Sequence, residues 1–356
     1  MTCEYNFTVG VETSMGLLCK DCPLKVDDCS LPGCIAAGGL VRTVIAANGQ
    51  LPGPAILVCE NDSVVVNVMN AMSTRSTTIH WHGINQRTTP YSDGVPYVTQ
   101  CPIEPYTTFR YQFSAFPAGT HVWHGHSGYQ EADGLFGQLV VRRKEPKEVE
   151  SLYDYDLPEH TITVWHWFRE QASVILPNNF RTAVETTGYA LLINGKGSIK
   201  EFMVPNNPDE FAFTPREKFY VKQGFRYRFR LIFNSAVFCP IQVSVDNHTI
   251  TAFASESSTF EPVEVDSIVL TAGERYDFVV NANQEVSCYW MRFRGFGDCT
   301  FGGLMVHEEA SLCYYGTQQP DVHISTNYID GERAGKVPKV IKIVRNILID
   351  LHLDCN

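Results

Sequence analysis

The sequence predicts an all-β protein made of two similar sandwiches, and three observations support this fold class. Short runs of alternating apolar and polar residues are separated by glycine, proline and asparagine turns, which is the period-two pattern of strands. No segment has the spacing of a long amphipathic helix. The strand pattern of the first half recurs in the second half of the 356 residues, a length that suits two domains of ordinary size.

A cysteine-rich segment over residues 1–35 comes first and shows little periodicity. Five of the chain's twelve cysteines lie in it, at Cys3, Cys19, Cys22, Cys29 and Cys34. Taken alone, this spacing is also compatible with a zinc knuckle. The cysteine count, together with sequons that begin at Asn6, Asn61 and Asn247, favours disulfides and an oxidising, extracellular compartment. We therefore predict a loop-rich module held by disulfides.

The predicted first domain covers residues 36–146, and its strands are bounded by turn signals. Val64, Val66 and Val68 share one face of a strand, as the core side of a sandwich requires. The predicted strands are, in order, Leu40–Ala46, Val58–Asn70, Thr107–Phe113 and Leu135–Arg142. A charged, proline-containing segment, Lys144–Glu150, is predicted to be the linker to the second domain.

The predicted second domain covers residues 147–310 and repeats the first. Arg110–Phe113 returns as Arg275–Phe278, and similar apolar positions recur at matching offsets. The strands expected to match the histidine strands of the first domain read Ile241–Val245 and Tyr289–Phe293, without histidine. Metal chemistry is therefore expected in the first domain only.

The remaining C-terminal residues, 311–356, are too few for a third sandwich. Within them Val340–Leu353 alternates like one strand, which is either a strand that lacks its sheet or a tail outside the fold.

Two pairs of histidines carry the functional signal: His80 with His82, and His124 with His126. Residues i and i+2 of a strand point to one face, so each pair aims two imidazoles in the same direction. Neutral imidazole is the commonest metal ligand and suits copper, zinc and iron. Chance or packing could explain one pair, but two pairs, each beside a tryptophan and a glycine, predict a shared metal site.

Composition narrows the classes of function further. The net charge of −11 argues against a nucleic-acid surface, which needs a basic stripe. No uninterrupted apolar run is long enough to span a membrane. Met1–Tyr5 has neither the basic nor the apolar part of a secretory signal peptide, so for a secreted protein we expect the natural N-terminus to lie upstream.

Several segments give the chain a close resemblance to the multicopper oxidases, and among them to the laccase-like proteins of insects. They are Ile79–Gly83, Ser92–Ile103, Ala118–Gly128, Asp133–Gly137 and Leu192–Gly197, together with the N-terminal cysteine cluster. The resemblance implies cupredoxin domains, each a Greek-key β-barrel. It also implies a type 1 copper that takes electrons from a substrate and a trinuclear copper cluster that passes them to O₂.

The resemblance assigns roles to individual residues. His80 would be a type 2 copper ligand, and the type 3 ligands would be His82, His124 and His126. His121 precedes the second pair and would support the site rather than ligate. Asp93 matches a carboxylate near the cluster that hydrogen-bonds and supplies protons during O₂ reduction, although a simple turn residue before Gly94 is the alternative. The resemblance also implies a disulfide between Cys101 and Cys239.

One departure from the family pattern matters for activity. The family's third domain carries His-Pro-x-His-x-His and His-Cys-His segments, and neither occurs in this sequence. The type 1 site and half of the cluster's ligands are therefore missing, and we expect a truncated form that is inactive on its own.

Three functions remain open at this stage. The first is a laccase-type oxidase acting on diphenols with O₂. The second is a ferroxidase acting on Fe²⁺, for which Glu185 is one acidic candidate. The third is a non-catalytic, secreted copper-binding protein of two cupredoxin domains.

Overall fold

Two β-sandwiches follow one another in the computed structural model, which describes residues 1–182, 190–237, 239–296, 299–301 and 304–317. The predicted strand Val340–Leu353 and the acidic candidate Glu185 lie outside the described residues. In the described part of the chain, no helix is long and apolar enough to cross a lipid bilayer.

The first sandwich has two four-stranded sheets, in the orders β2-β1-β4-β6 and β3-β8-β7-β5. Its strands are β1 Thr2–Thr13, β2 Thr43–Ala47, β3 Ile56–Cys59, β4 Ser63–Asn70, β5 Ile79–His82, β6 Thr108–Ser114, β7 Gly119–Gly125 and β8 Phe136–Arg142. Short 3-10 helices cover Leu17–Cys19, Val26–Ser30, Ala37–Gly39 and Pro90–Ser92. Val64, Val66 and Val68 are fully buried between the sheets with Trp81 and Trp123, as the alternating pattern predicts.

The N-terminal boundary predicted at residue 35 is wrong, because β1 is an inner strand of the first sandwich. It pairs in parallel with β4 and antiparallel with β2. Phe7 and Val9 are buried, and Cys3 and Tyr5 pack against the same core. A period-two pattern was thus present in a stretch that the cysteine content had marked as loop. The predicted disulfide-held loop follows β1, closed by Cys19–Cys34 and Cys22–Cys29.

The second sandwich has a six-stranded sheet, β10-β9-β14-β19-β16-β17, and a five-stranded sheet, β13-β23-β20-β15-β18. The first strands are β9 Tyr155–Trp167, β10 Ala190–Ile193, β11 Phe202–Val204, β12 Asn207–Ala212, β13 Lys218–Val221, β14 Arg226–Phe233, β15 Ile241–Val245 and β16 Ile250–Ser255. The others are β17 Ser258–Val265, β18 Ser267–Leu270, β19 Arg275–Asn281, β20 Cys288–Gly295, β21 Thr300–Phe301, β22 Leu304–Met305 and β23 His307–Tyr314. Two helices are described, α1 Lys147–Glu150 in the predicted linker and α2 Ala172–Thr182.

The predicted end of the second domain at residue 310 is also wrong. The last strand, β23, runs to Tyr314 and pairs in parallel with β13 and antiparallel with β20. Ala310, Leu312 and Tyr314 are fully buried in the second core. Their burial ties the end of the domain to this strand.

The two sandwiches share one topology, which confirms the internal repeat. In the first, β4 lies between β1, to which it is parallel, and β6, to which it is antiparallel. In the second, β14 lies in the same way between β9 and β19. The facing sheets also correspond, because β3-β8-β7-β5 matches β13-β23-β20-β15 in order and in pairing sense.

A buried polar network joins the two sandwiches where β7 packs on β14 and β19. Asp277 is its centre. One carboxylate oxygen accepts from the Thr120 hydroxyl at 2.6 Å, and the other accepts from Arg228 and Arg230. Arg275 adds a hydrogen bond from Nε to the Thr120 carbonyl at 3.0 Å. The relative position of the two domains is thus fixed by directional contacts in the first domain's histidine-bearing sheet.

The predicted disulfide between Cys101 and Cys239 is wrong. Cys239 is buried and bonds to Cys299, whose Cα lies 5.3 Å away, while Cys101 is an exposed thiol. A Cys288–Cys313 bridge links the adjacent strands β20 and β23. Both bridges stay within the second domain, so Cys239 is bonded to a cysteine of its own domain.

Candidate metal centre

The candidate metal centre is built on the ladder between β5 and β7. In this antiparallel pair His80 stands directly opposite His124. Because side chains alternate along a strand, Ile79 and Trp81 enter the core and are fully buried, while His80 and His82 point to the other face. The sequence pattern thus forces the two imidazoles of β5 out of the apolar core and onto one surface.

The four predicted ligands converge on this surface. The ring of His80 lies 5.4 Å from those of His124 and His126 and 5.9 Å from that of His82, measured between centroids. One ring nitrogen from each of His80, His82 and His124 can be chosen so that all three lie within 4.8 Å of one another. No other group of three His, Cys, Asp or Glu among the described residues is as close. Their role as ligands stays a prediction, but the required convergence is present.

His80 is oriented by the loop that carries Asp93. Its Nδ1 donates to the Asp93 carbonyl at 2.7 Å, and an Asp93 carboxylate oxygen lies 3.4 Å from the same nitrogen. A proton on Nδ1 leaves the lone pair on Nε2 free for a metal. Gly94 makes this approach possible, since it has φ +84° and a Cβ there would lie 1.8 Å from the Ile79 carbonyl oxygen.

His124 has a neighbour that sequence reasoning missed. An oxygen of Glu131 lies 3.2 Å from its Nδ1, the same distance as the Gly125 carbonyl. Burial raises the pKa of Glu131 to about 7, against the opposing effects of His126, His80 and an Asn234 hydrogen bond. The turn after β7 brings Glu131 back to the site, and the sequence around it carried no signal for that path.

The second domain covers the side of the site beside His82. The glycine at position 273 approaches so closely that a Cβ there would lie 3.1 Å from the imidazole Cε1. Burial, with the Arg275 cation and His124 as smaller causes, lowers the pKa of His82 to about 3. Burial likewise lowers the pKa of His124 to about 4 and that of His80. These imidazoles are therefore neutral at pH 7, which is the form that binds metal.

His121 lies outside this cluster. It is fully buried, and its Nε2 donates to the Pro117 carbonyl at 2.9 Å. The ring packs against Gly83 and near Arg275, since a Cβ on that glycine would lie 2.2 Å from His121 Nδ1. Burial, then Arg275, lowers its pKa to about 4. The described contacts of this side chain are therefore with the protein around the cluster.

The second sandwich has a polar pair where the first has histidines. Ile241 and Gln242 of β15 pair with Gly295 and Arg294 of β20, as Ile79 and His80 pair with Gly125 and His124. Arg294 Nε donates to the Gln242 side-chain oxygen at 2.6 Å. The equivalent ladder position is thus occupied by a hydrogen bond between two side chains.

The donor set of the first domain fits a copper site. Nitrogen ligands lie about 2 Å from a bound ion, so nitrogens within 4.8 Å can serve one ion or two neighbouring ions after small ring rotations. A set made only of imidazoles suits copper or zinc and disfavours magnesium and calcium, which prefer oxygen.

Comparison with known proteins supplies the family context. Sequence models described as multicopper oxidase match residues 33–146 and 158–309. Laccase-1 of Thanatephorus cucumeris is 34% identical over 305 residues, which cover 83% of this chain and 50% of that protein. Laccase-4 of Trametes villosa is 35% identical over 315 residues, which cover 86% of this chain and 57% of that protein.

The solved structures agree with the sequence matches. The laccase from Botrytis aclada superposes with a TM-score of 0.71 at 28% identity, covering 90% of this chain and 54% of the laccase. A cupredoxin-like fold is thereby confirmed for the predicted all-β chain. The chain spans about half the length of the curated relatives it matches.

Proposed function

Because this chain belongs to the multicopper oxidase family, we propose that its first domain supplies the ligands for one wall of a copper cluster in a laccase-type oxidase. The convergence of His80, His82 and His124 on one face of the first sandwich is the observation that carries the proposal. His126, whose ring lies 5.4 Å from that of His80, completes the set.

The individual roles are those that the family resemblance implies. His80 is assigned to a type 2 copper, and the type 3 coppers take His82, His124 and His126. When bound, the copper ions supply the redox chemistry that couples one-electron oxidation of a diphenol to reduction of O₂ to water. The protein's part is to hold neutral imidazoles in place, and the Asp93 carbonyl does so for His80 by accepting its Nδ1 proton.

Asp93 is also assigned the supply of protons. Its carboxylate is half-buried and lies beside the His80 ring, with one oxygen 3.4 Å from Nδ1. An oxygen at this place can hold a proton at the edge of the site and still exchange it with water. The competing assignment, a turn residue only, predicts no effect of Asp93→Asn on proton-dependent steps in an active oxidase.

The printed sequence alone is proposed to bind copper without oxidising a diphenol. It contains neither a His-Cys-His nor a His-Pro-x-His-x-His segment, which the family resemblance requires for the type 1 site and for the rest of the cluster. This keeps a second candidate in view, a copper-binding protein without catalysis. Among the described residues, no observation favours the ferroxidase alternative.

Secretion is proposed on the cysteine chemistry. Four disulfides are described, and such bonds persist in oxidising compartments. The sequon residues Asn61 and Asn247 are exposed in turns, with φ +68° and +61°, where a glycan can be attached. Dioxygen and a small phenol are the proposed partners of the oxidase.

A copper titration of the purified chain tests the proposal. We expect Cu²⁺ binding that weakens at least about tenfold in His80→Ala and in His124→Ala, because each removes a ligand of the convergent set. His307→Ala, at an exposed position outside the set, is the control and should bind as wild type does. Equal binding by all four proteins would contradict the site.

Oxygen consumption then separates the two candidate functions. Copper-loaded chain mixed with a diphenol should neither take up O₂ nor develop intense type 1 absorption. The same chain joined to a segment that carries the missing ligands should take up O₂ if it is half of an oxidase. Continued inactivity of that longer, copper-loaded protein would favour the non-catalytic candidate.

A further inference from the structure

The side chain of Glu131 reaches the candidate metal centre at His124. One carboxylate oxygen lies 3.2 Å from His124 Nδ1. The carboxyl group is thus placed on the Nδ1 side of His124, which points away from a metal bound through Nε2.

Glu131 is held in this place by a tight turn after β7. The amide of Gly134 donates to the Glu131 carbonyl at 3.0 Å, and the amide of Asp133 donates to the Tyr129 carbonyl at 3.1 Å. The neighbouring side chain of Gln130 accepts from the Thr77 hydroxyl at 2.6 Å. These bonds tie the turn to the segment just before β5, so the carboxylate has a defined direction.

The second domain packs against the turn that carries Glu131. Ala132, the next residue, lies in one buried apolar cluster with Val237 and Cys239 of the second domain.

A carboxylate in this position has a known physical effect on a metal-binding imidazole. By accepting the Nδ1 proton it fixes the tautomer and the ring orientation, and it raises the basicity of Nε2. For His80, a backbone carbonyl accepts the Nδ1 proton and fixes the tautomer. His124 has a carbonyl at 3.2 Å and, at the same distance, a carboxyl oxygen of Glu131 from a turn that packs against the second domain.

We propose that Glu131 is a positioning residue for His124. The proposal rests on copper binding by the four histidines, and it adds a residue that acts through His124 rather than on the metal.

Cu²⁺ affinity, measured by competition with a chromophoric chelator, tests the proposal on the purified chain. Glu131→Ala should weaken binding about 10- to 100-fold, the range found when such a supporting partner is removed. Glu131→Gln keeps an acceptor without the charge and should lose less. Glu261→Gln, which removes an exposed carboxylate on β17, is the control and should have no effect.

Two readouts keep a structural effect apart from the proposed one. The thermal unfolding of each metal-free variant shows whether the fold is kept, and the copper hyperfine splitting in electron paramagnetic resonance reports the ligand field of the bound ion. Glu131→Ala and Glu131→Gln proteins that fold and bind Cu²⁺ as tightly as wild type, while His124→Ala does not, would overturn the positioning role. If His124→Ala also binds as wild type does, the copper site itself is refuted.

Discussion

The carboxylate of Asp277 should contribute far more to the free energy of unfolding than a surface carboxylate in an equally close ion pair. Asp277 is 3% exposed, and its partners Arg228 and Arg230 are 3% and 2% exposed. Replacing it with alanine removes one acceptor from two buried guanidinium groups and leaves the Thr120 hydroxyl without its acceptor. Breaking a buried ion pair in this way destabilises a protein by about 3–5 kcal/mol.

The structure places Asp277→Ala at the lower end of that range, at about 3 kcal/mol. The reason is that both arginines keep another partner, since Arg230 also binds Asp156 at 2.6 Å and Arg228 also binds Glu145 at 3.1 Å.

Urea unfolding followed by tryptophan fluorescence measures this loss. Glu4→Ala is the matched control, because Glu4 forms an ion pair of 3.1 Å with Arg110 in which both side chains are at least half exposed. Its unfolding free energy should stay within error of wild type. A loss of less than about 1 kcal/mol in Asp277→Ala would refute the contribution to stability that we infer for these buried ion pairs.

Three further predictions follow from other parts of the structure. Burial lowers the pKa of His166 to about 3, so between that value and the ordinary 6.5 only the unfolded chain takes up the proton. Stability should therefore fall by about 2 kcal/mol from pH 7 to pH 5, and a His166→Gln protein with an unchanged pH dependence in urea unfolding would contradict this. Gly94→Ala should lower the free energy of unfolding by at least about 2 kcal/mol in thermal unfolding, because of the positive φ and the clash with Ile79. Gly128→Ala, which has open space around it, should lower this free energy by about 1 kcal/mol, and equal losses would refute the steric argument. A maleimide should label Cys101 in the native chain, because its thiol is free and exposed. Peptide mapping that instead finds Cys101 bonded to Cys239 would contradict this and support the disulfide that the family resemblance implies.

Much of the fold could be predicted because the strands of a sandwich carry a local signal. Val64, Val66 and Val68 alternate with polar residues, and the strand lies where that alternation lies. The same rule applied to Phe7 and Val9, but the cysteines around them suggested a loop, and parallel pairing with a strand about sixty residues away has no local signature. The boundary errors at residues 35 and 310 both come from strands whose partners are distant in sequence.

The residues of the candidate site also differ in whether the sequence alone could reveal them. His80 and His82 could be found because spacing of two on a strand is itself the geometry. Glu131 could not, since it reaches His124 through a turn whose path depends on tertiary contacts. The pairing of Cys239 failed for a related reason: a family position indicates that a cysteine is there, but only packing decides which other sulfur lies beside it.

The hydrogen bond between Gln242 and Arg294 has a consequence for protein engineering. It lies at the ladder position that His80 and His124 occupy in the first sandwich, in the same register and on the same face of the sheet. The substitutions Gln242→His and Arg294→His would therefore place a pair of histidines at equivalent backbone positions in the second sandwich. A designer would also have to release the Gln242 contact with Ser267. The repeated fold therefore offers a second backbone site at which metal ligands can be introduced without redesigning the sandwich.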